Sequence, residues 1–294
     1  MKPVVAIALV LFLSACKPAE PPQREAAKSP PPDASTHEAE IVKWRENRIT
    51  RLKAEDGWLS LVGLHWLREG ENTPIPGVAI NLKDGKATLR PSAPMTIDGK
   101  PVTAPVQLND DSAENGPAIV QMGTKRFNVI KRGPRFALRV KDSQAETRTQ
   151  FAGIESYPID PKWRVEARLE PYSPPKKIPI LDVTGMMSDS TSPGALVFTI
   201  DGKEHRLDPI LEEEGGDYFI IFKDETSRSE TYPAGRYLYA KPADANGKVI
   251  VDFNKAYNPP CAFTPFATCP LPPAQNRLPV RVEAGEKNYA GGHA

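Results

Sequence analysis

An excess of charge of either sign is missing from this chain, in which 38 Lys and Arg stand against 37 Asp and Glu. A neutral balance argues against nucleic acid as a partner, because a phosphate backbone is met by a basic surface. Long apolar runs are missing beyond Val4 to Leu13, and that run is too short to cross a bilayer as a permanent helix. Glycine-rich phosphate loops, a nucleophile elbow, an HExxH pair and a cofactor-binding fingerprint do not occur. The expectation is therefore no cofactor and no metal. Histidine is sparse, with four in the chain. His37 borders a linker and His293 lies in the tail, while His65 falls in an apolar strand where a core role outweighs catalysis. His205 follows a hairpin and is expected to be exposed. The acidic run Glu212, Glu213, Glu214 and Asp217 lacks the alternating ligands of a calcium loop and reads as a solvated hairpin.

What the chain does have begins with MKPVVAIALVLFLSAC, a positive charge at Lys2, an apolar run and small residues before a cysteine. This reads as a secretory signal, and Leu13, Ser14, Ala15 and Cys16 resemble the lipobox of bacterial lipoproteins. The resemblance implies that residues 1–16 are a signal peptide region ending at an acylated Cys16, which anchors the protein to a lipid bilayer. Lys17 after it resembles an outer-membrane sorting signal, so in a Gram-negative host the protein would face the periplasm. Without Lys2 the mature chain holds 37 basic and 37 acidic residues. Residues 17–36 are rich in proline, alanine and charge without apolar periodicity, and read as a disordered tether reaching on the order of 60 Å from the membrane.

The remaining chain is long enough for one large β domain, placed at 37–287, with a flexible tail at 288–294. Ile41, Trp44, Ile49 and Leu52 recur at helical spacing, which predicts an amphipathic N-terminal helix ending before Gly57. GWLSLVGLHWL reads as a buried strand with Trp58, Leu61, Leu64 and Trp66 in the core. Asp84-Gly85, Asp98-Gly99 and Asp201-Gly202 each fall between strand formers and predict two-residue hairpins. No long helical period follows residue 56. The fold class is mainly β, an antiparallel sandwich or partly open barrel. YPIDPKWRVEARLEPYSPP, with prolines at both ends, reads as a possible join between packed subdomains.

Residues 252 to 279, DFNKAYNPPCAFTPFATCPLPPAQNRLP, carry seven prolines, two cysteines and three asparagines. With FKDETSRSETYPAGRYLYA before it, GWLSLVGLHWL near the start and RVEAGEK after it, this stretch resembles the domain-of-unknown-function family numbered 1684. The resemblance implies a single domain unit and supplies no mechanism. Cys261 and Cys269, an even pair left after Cys16, suggest a disulfide in an oxidising compartment. Their spacing lacks the Cys-x-x-Cys arrangement of a redox pair.

Two readings of the stretch remain open. As a clasp, the prolines and the cysteine pair hold an irregular path without a regular ladder. As a site, Arg236, Asp252, Asn254, Tyr257, Asn258, Asn276 and Glu286, with Arg277 nearby, line a polar cleft for an unknown small molecule or envelope component. An antiparallel hairpin turning at Asn246 and Gly247 would bring Arg236 and Asp252 onto neighbouring strands. The matching function classes are a noncatalytic binding lipoprotein and a hydrolase using Asp252 or Glu286 as acid or base, with Arg236 holding an anionic group.

Overall fold

A computed structural model describes residues 34–291, so the signal, Cys16, the tether up to residue 33 and His293 lie outside the described residues. Helix α1 (Ala34–Leu52) starts inside the segment that composition assigned to the tether. Its inward stripe runs His37, Ile41, the half-buried Trp44, Arg48 and Leu52, a spacing that returns to one face every turn. Two of these five are polar, and both reach carboxylates far along the chain. His37 Nε2 lies 2.7 Å from Asp252, and Arg48 Nε donates to Glu286 at 3.0 Å. No helix among the described residues is long and apolar enough to cross a membrane.

The first β region holds β1 (Leu61–Trp66), β2 (Gly70–Ile75), β3 (Val78–Lys83), β4 (Lys86–Pro91), β5 (Thr96–Ile97), β6 (Lys100–Pro101), β7 (Val106–Leu108), β8 (Val120–Met122), β9 (Lys125–Arg132) and β10 (Arg135–Asp142). They form a six-stranded antiparallel sheet, ordered β1-β10-β9-β8-β5-β6, and a four-stranded sheet, ordered β2-β3-β4-β7. Ile80, Leu89, Val120, Phe127, Val129 and Leu138 fill the core that these strands share. Trp58 lies in a short 3-10 turn ahead of β1, and Leu61 is buried as expected. Leu64, His65 and Trp66 are only half-buried, so the core place expected of Leu64 and Trp66 is only partly taken.

The second region follows a short helix α2 (Glu146–Thr149) and holds β11 (Arg164–Leu181), β12 (Met187–Ile200), β13 (Lys203–Leu207), β14 (Ile210–Leu211), β15 (Tyr218–Phe222), β16 (Arg236–Ala240) and β17 (Lys248–Asp252). Its strand order is β16-β15-β14-β12-β11-β17, with β13 on β12. The two end strands of that order lie side by side, so the sheet is a nearly closed barrel. Leu196, Phe198, Ile220, Phe222, Leu238, Val251 and Phe253 fill its interior. The join expected at Tyr157 is narrower than the sequence reads, since β11 is already the barrel's first strand from Arg164. The fold is thus mainly β and antiparallel, with sheet packing in one region and a nearly closed barrel in the other.

The predicted Asp-Gly turns all form. Asp84, Asp98 and Asp201 have φ of 48°, 52° and 49°, and each following glycine is also left-handed. The predicted hairpin at Asn246 and Gly247 does not form. β17 pairs with β11, from Arg164 opposite Asp252 to Arg168 opposite Lys248. Pro242, lacking an N–H, leads the chain out of β16, and the free edge of β16 is taken by Tyr257, which exchanges two 2.9 Å backbone bonds with Tyr237. His205 is buried on β13 against Phe198, because it sits on the inward parity of that strand. Residues expected in the tail are docked as well. The Asn288 N–H donates to Glu230, and the Tyr289 ring packs on Phe151 and Phe263.

Candidate functional site

After β17 the chain abandons ladders, and polar side chains take over the pairing. Asn254 bridges the Asp160 backbone, accepting from its N–H at 3.1 Å and donating to its carbonyl at 3.0 Å. Asn276 does the same for Asp208, at 2.7 and 2.9 Å, and also reaches the Ile221 carbonyl at 3.0 Å. Asn258 donates to the Lys287 carbonyl, and its own N–H donates to Glu286 at 2.7 Å. Arg236 is fully buried, pairs with Asp224 at 3.2 Å, and donates to the carbonyls of Val282, Ala284 and Glu286. Desolvation pushes its guanidinium below the usual arginine range, with Asp224 working against that. These are braces, each satisfying backbone groups that an irregular buried segment would otherwise leave unpaired.

Of the seven residues expected to line a polar cleft, Arg236, Asp252, Asn254, Tyr257, Asn258, Asn276 and Glu286, only Tyr257 lines the cleft outside the barrel wall. Asp252 is held by His37 and caps Asn254, and Glu286 borders a separate hollow of about 190 Å³ beside Arg45 and Arg48. Strand parity explains the separation. On β16, Arg236 shares the parity of Leu238 and Ala240, which face the barrel interior, whereas Tyr237 and Tyr239 face outward. β15 follows the same rule, with Ile220 and Phe222 inside and Phe219 and Ile221 outside.

Outside the barrel wall, the cleft has a volume of about 740 Å³, the size of an ordinary small-molecule site. Eight elements build it. Helix α1 contributes Trp44, Arg48 and Arg51, and the turn after it contributes Trp58. β9 and β10 contribute Arg132 and Arg139, while β15 and β16 contribute Phe219, Tyr237 and Tyr239. Glu212 and Asp217 stand at the turn before β15, and the clasp supplies Pro260, Thr268, Cys269 and Pro270. Phe219 stacks on Tyr239 with centroids 4.8 Å apart, and Tyr239 lies nearly parallel to Tyr257 at 6.4 Å. Burial raises the hydroxyl pKa of Tyr237, Tyr239 and Tyr257, so all three remain neutral donors at physiological pH.

Most of the cleft's charges are already paired. Arg48 serves Glu286, Lys255 meets Glu40, and Arg132 meets Asp111 at 2.7 Å and Thr268 at 3.1 Å. Tyr239 donates to Glu212 at 2.6 Å, and Asp217 holds Lys241. The acidic turn is largely exposed, as its composition predicts. Among the described residues, no group of His, Cys, Asp and Glu is arranged to hold a metal ion. The Cys261 and Cys269 sulfurs face each other with Cα atoms 6.2 Å apart, within the range of a bridge.

A mainly β protein with a nearly closed barrel, an irregular clasp and an aromatic cleft outside the barrel wall is the class that emerges. The chain belongs to the family described as "Protein of unknown function (DUF1684)", whose model matches residues 149–287. The match covers the barrel and the clasp, and leaves the GWLSLVGLHWL landmark outside it. A solution NMR structure of an uncharacterized protein from Haloarcula marismortui is 31% identical over 48% of this chain and 78% of that one, with a TM-score of 0.41. No curated protein matches the chain.

Proposed function

We propose that the protein is a lipid-anchored envelope protein whose β domain binds a small molecule, or a small group of an envelope component, in the aromatic cleft. The observation that carries this reading is the cleft itself, large enough for such a ligand and walled by Trp44, Trp58, Tyr239 and Tyr257. Rings of this kind offer large, rigid contact area at low entropic cost. The two carboxylates read as acid or base from the sequence favour binding over catalysis, because Asp252 and Glu286 are committed to His37 and Arg48 and line no part of this cleft. A melting screen of the whole protein against envelope-derived small molecules tests the reading, since a ligand at a hundred times its Kd stabilises by about 2.7 kcal/mol. A hit whose shift survives Tyr239→Ala and Tyr257→Leu unchanged would bind elsewhere and sink it.

The anchor is tested separately. Cys16→Ser is expected to release the protein from the membrane fraction, with the mobility of the unacylated chain. A variant that still sediments with membranes would remove Cys16 from the proposal.

In the oxidising envelope the clasp closes by a Cys261–Cys269 disulfide. Replacing both by Ala is expected to lower stability by about 2.5 kcal/mol, from the entropy of a loop of about nine residues. Mass spectrometry of unreduced native protein provides the direct check, because two alkylatable thiols would contradict the bridge.

A further inference from the structure

The face of β9 and β10 turned away from the first core is a basic surface. Phe136, Leu138 and Val140 enter that core, so Arg135, Arg139 and Lys141 point the other way. Register places Arg132 opposite Arg135, Asn128 opposite Arg139 and Arg126 opposite Lys141. Each neighbouring cation on this face has an answer. Arg126 approaches Glu55, Arg132 pairs with Asp111, Lys141 donates to the Asp56 carbonyl, and Arg135 stacks on Trp66 at 3.6 Å.

Arg139 is different. Its Nε is buried without a hydrogen-bond partner, and among the described residues no ion pair engages its guanidinium. Its neighbour is the Trp58 ring, 5.4 Å from Cζ, and a ring face attracts the cation without using any of its five N–H donors. Burial, with the adjacent Arg132 adding repulsion, pushes its pKa down to about 10, and Asp111 offsets only part of this. Arg139 is still charged at neutral pH, so the fold carries a largely desolvated cation with free donors at the wall of an open cleft. Burying such a group unpaired is costly, and a bound anion removes the cost by supplying both charge and acceptors.

We propose that the cleft takes a ligand with a flat, ring-bearing body and one anionic head, a carboxylate, phosphate or sulfonate, held by the guanidinium of Arg139 beside Arg132. The body lies against the rings of Trp44, Tyr239 and Tyr257. This deepens the binding reading above and rests on it. Arginine suits the task because its planar fork matches an oxyanion with two parallel hydrogen bonds. The acidic groups of the cleft do not compete for Arg139, because Glu212 accepts from Tyr239 and Asp217 holds Lys241.

Two fluorescent probes with nearly the same rings separate head from body: 1-anilinonaphthalene-8-sulfonate carries a sulfonate, and N-phenyl-1-naphthylamine carries none. The whole protein is titrated with each, in wild type, Arg139→Gln, Arg139→Lys and Tyr257→Leu forms whose melting curves are recorded alongside. The expected result is at least tenfold tighter binding of the sulfonate by wild type. Arg139→Gln should erase that preference while the neutral probe binds as before, and Arg139→Lys should restore part of it. Tyr257→Leu should weaken both probes. Equal affinity of the two probes for wild type, or a preference that survives Arg139→Gln, would overturn the anionic head and leave the cleft standing. Parallel loss of both probes in Arg139→Gln would make Arg139 a shaper of the cleft and would also overturn the head assignment. Failure of both probes to bind wild type, or indifference of both to Tyr257→Leu, would remove the cleft reading itself.

Discussion

Arg236→Met is expected to lower the unfolding free energy by about 4 kcal/mol, the cost of stranding one member of a buried ion pair. Asp224 would be left with its side chain 1% exposed and no countercharge. It would keep the N–H of Val282 at 2.8 Å and the N–H and hydroxyl of Thr226, which help a carboxylate but do not neutralise it. The carbonyls of Val282 and Ala284 would lose their donor in the same step. Arg236→Lys retains the charge without the planar fork, so it should cost about 2 kcal/mol, in line with the loss of one or two buried hydrogen bonds. Urea denaturation, with the slope checked for constancy, reads both values. Adding Asp224→Asn to Arg236→Met should recover part of the loss, because the stranded charge is then gone. A change below about 1 kcal/mol for Arg236→Met would show that the pair is not a brace and would reopen Arg236 as a ligand contact.

That prediction also marks where sequence reading and structure part. The β class was legible because alternation and Asp-Gly turns are local signals, and the turns at Asp84, Asp98 and Asp201 depend on nothing beyond their own residues. Arg236 was equally conspicuous as a charge inside a strand, yet which face of RYLYA meets the cleft depends on what packs against each side. A step of one residue reverses the answer. Tyr237 and Tyr239, one and three positions along, are the residues that reach the cleft.

Helix α1 did hold a readable signal. His37 and Arg48 occupy the same stripe as Ile41 and Leu52, and polar residues at apolar positions imply buried partners. Asp252 and Glu286, singled out as acid or base, are those partners. No local pattern links position 37 to 252 or 48 to 286. Arg139 was missed for a related reason. Its alternation with Leu138 and Val140 is that of any half-buried strand, and only the three-dimensional neighbourhood shows that its Nε is buried without a hydrogen-bond partner. The prolines and asparagines of the clasp announced an irregular segment, and it is both brace and cleft wall because its outer edge abuts β16 and α1.

Gly285→Ala is expected to cost about 3 kcal/mol or more, combining a strained backbone with overpacking. Gly285 has a φ of +76°, and an added Cβ would sit 2.4 Å from the Ala256 carbonyl oxygen and 2.8 Å from the Ala256 Cβ. Neither neighbour can move freely. The same Ala256 carbonyl accepts from the Glu286 N–H at 2.8 Å, and the Gly285 carbonyl accepts from Tyr157 at 3.0 Å. Relief of the clash therefore requires displacing the strap that carries Glu286, the residue that holds Arg48 of α1 and the Asn258 N–H. Because Arg48 lines the cleft, the variant should bind any cleft ligand more weakly as well as melt earlier. Gly202→Ala provides the control. Gly202 has the same φ of +76° but nothing within 4 Å of the added carbon, so it should lose only the conformational part, about 1 kcal/mol. The difference between the two variants in denaturant titration then measures the close approach at Ala256 alone. Equal losses would mean that the strap yields without resistance, and that the hold of Glu286 on α1 is not set by the path of the chain through Gly285.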